Sequence, residues 1–204
     1  MYRRTVLLTA TRCVGASLLL ASPVAAFAGT EKPGHLFDPD FVHPGGEKQM
    51  LRRFYVAREV VPGGRVEKMD FLLWQPDGRI DPDGYAKFCY AMRDVKEQQT
   101  AQIDMRLVAM MTTVQSYFWY RKRIEGHYYV TGGYRTWKTN DHTEGAAPLS
   151  EHTKGAAADG RIIGVRLSEQ AAYMRDMGQG GVGLYMRRGF VHGDVGGKIN
   201  FWRL

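Results

Sequence analysis

Val182-Gly183-Leu184-Tyr185-Met186, Phe190-Val191-His192-Gly193-Asp194-Val195 and Lys198-Ile199-Asn200-Phe201-Trp202 follow one another near the end of the chain, separated by Arg187-Arg188-Gly189 and Gly196-Gly197. Short β-branched and aromatic runs between glycine turns read as three strands, and turns this tight join antiparallel neighbours. Working backwards, Ser168 to Met177 reads as a capped helix ending at Gly178, and Asp159 to Val165 as a short strand before it. Phe54 to Val60 and Arg65 to Trp74 form a hairpin about Pro62-Gly63-Gly64, and His127 to Thr131 is a further strand. Between them, apolar residues at three- and four-residue steps predict helices over Tyr85 to Gln98 and Met105 to Lys122. The stretch from Asn140 to Pro148 reads as a loop. The fold class that results is α+β, with helices packed on a small antiparallel sheet whose strand ends carry the polar residues.

Those polar residues have a pattern. Ser150-Glu151-His152-Thr153-Lys154-Gly155-Ala156-Ala157-Ala158-Asp159 supplies one imidazole and one carboxylate, and His192 supplies a second imidazole from far along the chain. Two histidines and an aspartate from three separate positions form the ligand set of a catalytic zinc site, which keeps one position open for water. Small residues crowd between His152 and Asp159, and glycines surround His192, so backbone segments can approach closely there. Arg135 follows Gly132-Gly133 on a turn and is placed to meet a substrate carboxylate or a developing oxyanion. Asp194 lies two residues beyond His192, on the same face of an extended strand. It can either move a proton or orient the ligand from outside. Glu151 adjoins His152 and points away from it.

The first 28 residues read as a signal peptide: Arg3-Arg4, an apolar run from Val14 to Ala21, and Ala26-Phe27-Ala28 as the cleavage site. Arg3-Arg4-Thr5-Val6-Leu7-Leu8 also resembles a twin-arginine signal. Residues 29–50, rich in Gly, Pro and charge, read as a flexible lead-in, and 51–204 as one domain. Losing Arg3, Arg4 and Arg12 with the signal lowers the formal charge from +7 to +4. That balance suits an anionic wall or membrane-facing surroundings, while the absence of a Lys/Arg stripe excludes nucleic acid as the expected partner. Of the two cysteines, Cys13 lies in the signal, so Cys89 is left without a disulfide partner and reads as a core residue. A soluble exported protein with no lasting membrane insertion is the expectation, and the sequence does not speak to its oligomeric state.

The segments Gly133-Tyr134-Arg135-Thr136, Ser150-x-His152-x-x-Gly155-x-Ala157-x-Asp159 and Phe190-Val191-His192-x-Asp194-x-Gly196 together resemble the M15-type zinc peptidases. They resemble most the exported branch of murein endopeptidases, over about Phe54 to Trp202. The resemblance implies a hedgehog and D-Ala-D-Ala-peptidase-like fold, one zinc ion held by His152, Asp159 and His192, and Arg135 and Ser150 on the peptide. It implies a periplasmic hydrolase acting on peptidoglycan cross-links through metal-activated water. Better-known M15 carboxypeptidases carry an acidic base three residues before the last ligand, where this chain has Gly189. A non-catalytic, metal-bearing cell-wall binding protein of the same fold is the alternative reading.

Overall fold

The computed structural model describes residues 50–204. The expected signal peptide, the lead-in up to residue 49, and the histidines at positions 35 and 43 lie outside the described residues. β1 (Arg53–Glu59) turns Phe54 and Val56 inward, both fully buried, and the Pro62-Gly63-Gly64 turn folds the chain back into β2 (Val66–Leu72). The two strands pair antiparallel from Arg53 opposite Leu72 to Glu59 opposite Val66. α1 (Pro82–Ala91) starts at Asp81, whose carboxylate accepts the Gly84 N–H at 2.8 Å, with Pro82 in the first turn. α2 (Met105–Arg121) is capped by Asp104 and buries Leu107, Val108, Met111, Val114 and Phe118, the series expected from the sequence.

After α2 come β3 (Tyr128–Gly132), α3 (Trp137–Asp141), a 3-10 helix (Glu151–Lys154), β4 (Ala157–Ile162), α4 (Leu167–Met177), β5 (Gly181–Tyr185), β6 (Phe190–Asp194) and β7 (Asn200–Arg203). The strands form one seven-stranded sheet in the order β2-β1-β3-β4-β6-β5-β7. The architecture is α+β as expected, but the sheet is mixed where the sequence predicts an antiparallel one. β1 runs parallel to β3, and β7 parallel to β5. β6 already has β4 on one side and β5 on the other, so β7 can join only at the free side of β5. A strand two turns after β5 then arrives in the same sense.

One face of the sheet builds the core. Phe54, Val56, Tyr128, Val130, Ile162, Val182, Leu184 and Val191 cluster with Phe88, Met111, Val114, Phe118 and Met174. Gly193 faces this side, close to the Met110 and Met174 methyls. Because strand side chains alternate, Asp159, His192 and Asp194 face the opposite side. Cys89 is buried and free, and burial pushes its thiol pKa up, as a packing residue requires. Among the described residues no helix is long and apolar enough to cross a membrane.

Two helices differ from expectation. The predicted Tyr85 to Gln98 helix ends at Ala91, because Arg93 and Asp94 are drawn into buried contacts with distant segments. Asp94 accepts the N–H groups of Lys96 and Glu97 through one oxygen, which closes a turn where the helix would have continued. In the second case, Thr136 caps α3 inside the region read as a turn and loop, its hydroxyl accepting the Thr139 N–H at 3.1 Å. α4 starts from Arg166, without a side-chain cap, and stops as expected at Gly178.

Candidate metal centre

Each of the three expected ligands is fixed by a different local device. Ser150 caps the 3-10 helix, its Oγ accepting the His152 N–H at 3.3 Å, and this turns the buried His152 towards the sheet. His152 Nδ1 lies 2.7 Å from the Gly133 carbonyl oxygen. A carbonyl can only accept, so Nδ1 carries the proton and Nε2 presents its lone pair. Gly133 comes that close because its own backbone lies against Met92, where a Cβ would collide with the Met92 carbonyl.

Asp159 on β4 sits directly opposite His192 on β6, so the two side chains rise from neighbouring positions of the open face. His192 Nδ1 is 2.8 Å from Asp159 Oδ1, and His152 Nε2 is 3.3 Å from both. Two zinc bonds of about 2.0–2.1 Å at a tetrahedral angle set their donor atoms roughly 3.3 Å apart. Two of the three separations meet that value, and the third is shortened by a hydrogen bond. The donor set therefore fits a tetrahedral zinc with one position left open.

The residues around the trio are as ordered as the trio. Arg135 Nη2 donates to Asp159 Oδ2 at 2.8 Å, which leaves Oδ1 facing the imidazoles. Arg135 is held through its own N–H on the His152 carbonyl oxygen. Asp194 Oδ2 lies 3.2 Å from His192 Nε2, and its Oδ1 accepts the N–H groups of Gly181 and Gly196 at 3.1 and 3.0 Å. One segment further out, Asp94 Oδ2 accepts the N–H and hydroxyl of Thr136 at 2.9 and 3.1 Å, tethering the Gly133–Thr136 arm. Glu151 is paired with Lys154 at 2.7 Å and stands outside the cluster.

The charges follow from this packing. Burial pushes His152 below the ordinary imidazole value, so it is neutral. For Asp159 burial opposes ionisation, but the two imidazoles outweigh it and drive the pKa far below the usual carboxylate range. Burial also works against a charged His192, yet its hydrogen bonds to Asp159 and Asp194 raise it to about 9. A cation at this point competes with that proton, as metal sites generally do. Asp194 is lowered despite its burial, through His192 and the two backbone donors.

All three residues expected to bind metal are thus brought together, with Arg135 and Asp194 beside them. Asp94 and the Gly133 carbonyl escape a reading of the sequence. A single carboxylate in a helix-compatible stretch gives no sign that it will bond a residue 42 positions later, and a carbonyl has no identity in the sequence at all.

Comparison with known proteins places the chain in a family. The family described as peptidoglycan L,D-endopeptidase MepK, of the M15 peptidases, matches residues 64–202. This chain belongs to that family. The MepK relative of Escherichia coli (strain K12), named peptidoglycan L,D-endopeptidase, is 35% identical over 115 residues, 54% of this chain and 61% of the relative. The Shigella flexneri protein of the same name matches to the same extent. A probable peptidoglycan L,D-endopeptidase MepK of Haemophilus influenzae is 33% identical over 129 residues, 61% of this chain and 67% of the relative. The chain spans about three fifths of the length of the E. coli relative it matches. No solved structure matches the chain significantly. The matched range includes His152, Asp159 and His192, the three residues of the cluster, and also Arg135 and Asp194.

Proposed function

We propose that this chain is an exported, zinc-dependent peptidoglycan hydrolase that cuts peptide cross-links in the manner named for its MepK relatives. The observation that carries the reading is the convergence of His152 Nε2, His192 Nδ1 and Asp159 Oδ1 within 3.3 Å of one another, inside a segment matched by a peptidase family. We infer the hedgehog and D-Ala-D-Ala-peptidase type of fold from the same arrangement, with ligands on a 3-10 helix and two adjacent strands of a mixed sheet. The amino-terminal sequence supports export to the periplasm, where the polymer lies.

Zinc bound by the three side chains supplies a Lewis acid that polarises the scissile carbonyl and acidifies a water. The rest falls to the protein. His152 is held as the Nδ1–H tautomer by Gly133, so its free lone pair is fixed in place before any ligand arrives. Asp194 accepts the Nε2–H of His192, so the proton a cation would displace is the one on Nδ1, the nitrogen aimed at the cluster. Arg135 uses one N–H on Asp159, and its remaining side-chain donors make no hydrogen bond among the described residues. They are free to meet the oxygen on which negative charge develops, or a carboxylate of the peptide. The Ser150 hydroxyl accepts from the backbone and keeps its own proton for a peptide carbonyl.

The test is release of soluble muropeptides from purified sacculi by the mature protein. The reading expects activity that is lost on chelation and restored by zinc, with His152→Ala losing both metal and turnover. A zinc-loaded protein that binds sacculi without releasing product would instead assign the fold to cell-wall recognition.

A further inference from the structure

The open face of the sheet continues beyond the metal ligands, and its next row is chemically distinct. Arg161 lies two residues past Asp159 on β4, on the same face, about 6.6 Å further along the strand. It pairs in register with Tyr129 of β3, and its guanidinium lies over the Tyr129 ring, 4.7 Å from the centroid. On its other side, one step beyond the Gly160–Val191 pair, comes Phe190 of β6. Phe190 stacks on Tyr185 of β5 with ring centroids 4.6 Å apart. The Tyr185 hydroxyl accepts from Trp202 Nε1 at 3.1 Å, and the Trp202 ring stands 5.3 Å from His192. Trp202 reaches that place by lying across Gly183, where a Cβ would fall 2.5 Å from the indole. The result is a half-buried strip, Tyr129, Arg161, Phe190, Tyr185 and Trp202, leading from one cation to the metal centre.

Arg161 is the unusual member. Arg135, on the same face, is paired with Asp159. Among the described residues Arg161 forms no salt bridge. One N–H donates to the Gly189 carbonyl oxygen at 2.7 Å, and the Tyr129 ring fixes the plane of the group. A guanidinium oriented in advance, with donors left over, the Tyr129 ring against it and Phe190 next in the strand register, matches a carboxylate carried on an aliphatic stem. Stem peptides of peptidoglycan carry such carboxylates.

We propose that Arg161, framed by Tyr129, Phe190 and Tyr185, is a carboxylate-binding subsite for the stem peptide, set one strand step from the metal centre. This rests on the peptidoglycan reading of that centre. The subsite fixes how the peptide lies across the sheet, and it favours strands whose carboxylates are free over those that are amidated.

The experiment is isothermal titration of the zinc-loaded full chain with two probes, a diaminopimelate-containing stem tetrapeptide with free carboxylates and its amidated counterpart. Wild type is expected to bind the free form about tenfold more tightly, the scale of one hydrogen bond to a charged group. Arg161→Gln should lose that preference while keeping its zinc, and Arg161→Lys, which keeps charge but not the planar fork, should recover only part of it. An undiminished preference in Arg161→Gln overturns the subsite. So does equal binding of both probes by wild type, or tight binding of a peptide-free disaccharide that Arg161→Gln leaves unchanged, since the strip would then be a sugar platform. Hydrolysis of sacculi is scored separately: a carboxylate preference lost in Arg161→Gln without any turnover would remove the cleavage reading and leave the subsite standing.

Discussion

Replacing Asp194 with asparagine separates two roles that a carboxylate beside a zinc ligand can play. In the structure Oδ1 takes two backbone N–H groups, from Gly181 and Gly196, while Oδ2 faces His192 Nε2 at 3.2 Å. An asparagine must keep its oxygen on the two backbone donors, so its NH2 group turns towards His192. A donor there needs an acceptor, and Nε2 becomes one only if the imidazole proton moves to Nδ1. Nδ1 is the atom that lies 2.8 Å from Asp159 Oδ1 within the ligand trio. The substitution therefore sets the wrong tautomer for the proposed ligand role of His192. Loss of such an outer partner lowers metal affinity by about 10- to 100-fold, or roughly 1.4–2.8 kcal/mol. Competition against a chelator of known strength measures the affinity, and hydrolysis of sacculi measures turnover. The expected result for Asp194→Asn is weaker zinc binding, with most turnover regained at saturating zinc. Unchanged zinc affinity together with a loss of about 10²-fold or more in turnover at saturation would refute the argument and make Asp194 the group that moves the proton.

Three other outcomes follow from neighbouring contacts. Arg135→Lys should retain zinc but lose about 10²-fold in turnover, because a single ammonium cannot serve Asp159 and a developing oxyanion together; metal analysis beside steady-state kinetics checks this. Gly133→Ala should lower stability by about 1–3 kcal/mol and weaken zinc binding together, since the new Cβ displaces the carbonyl that sets the His152 tautomer from its place against Met92; denaturation of the metal-free and loaded forms reads both. Asp94→Asn should cost about 2–3 kcal/mol at neutral pH through its bonds to Thr136. Hydrogen bonds hold the Asp94 pKa below its ordinary value against the effect of burial. Its contribution is thus present above the unfolded carboxylate pKa and lost as pH falls through the folded one. The gap between wild type and variant in urea denaturation should hold from neutral pH down to about pH 5 and narrow as pH falls below about 4.

What could be read from the sequence, and what could not, divides along a physical line. The β5–β6 hairpin is local: β-branched and aromatic residues on either side of Arg187-Arg188-Gly189 specify it, and the period of two places His192 and Asp194 on one face. The three candidate ligands were marked by the Ser150-x-His152 to Asp159 segment and by His192 among glycines, and the fold brings their donor atoms within 3.3 Å. β7 shows the limit. Glycines at 196 and 197 announce a turn, but whether the returning strand pairs with β6 or β5 depends on which side is vacant, and β4 decides that from some forty residues away. α1 shows the same limit: Val95 continues its apolar spacing, yet the helix stops because Asp94 bonds Thr136.

The early end of α1 bears directly on the site. The turn that ends α1 at Ala91 presents the Met92 carbonyl, which accepts the Tyr134 N–H at 2.7 Å, and Asp94, which accepts the Thr136 N–H. Between those anchors lies Arg135, and just before them Gly133, whose carbonyl sets the His152 tautomer. Four more residues of helix would have removed both anchors. The local preference for helix is worth only tenths of a kcal/mol per residue, while a buried carboxylate accepting several hydrogen bonds contributes a few kcal/mol. The non-local contacts therefore prevail, and the shortened helix is part of what holds the candidate metal centre in shape.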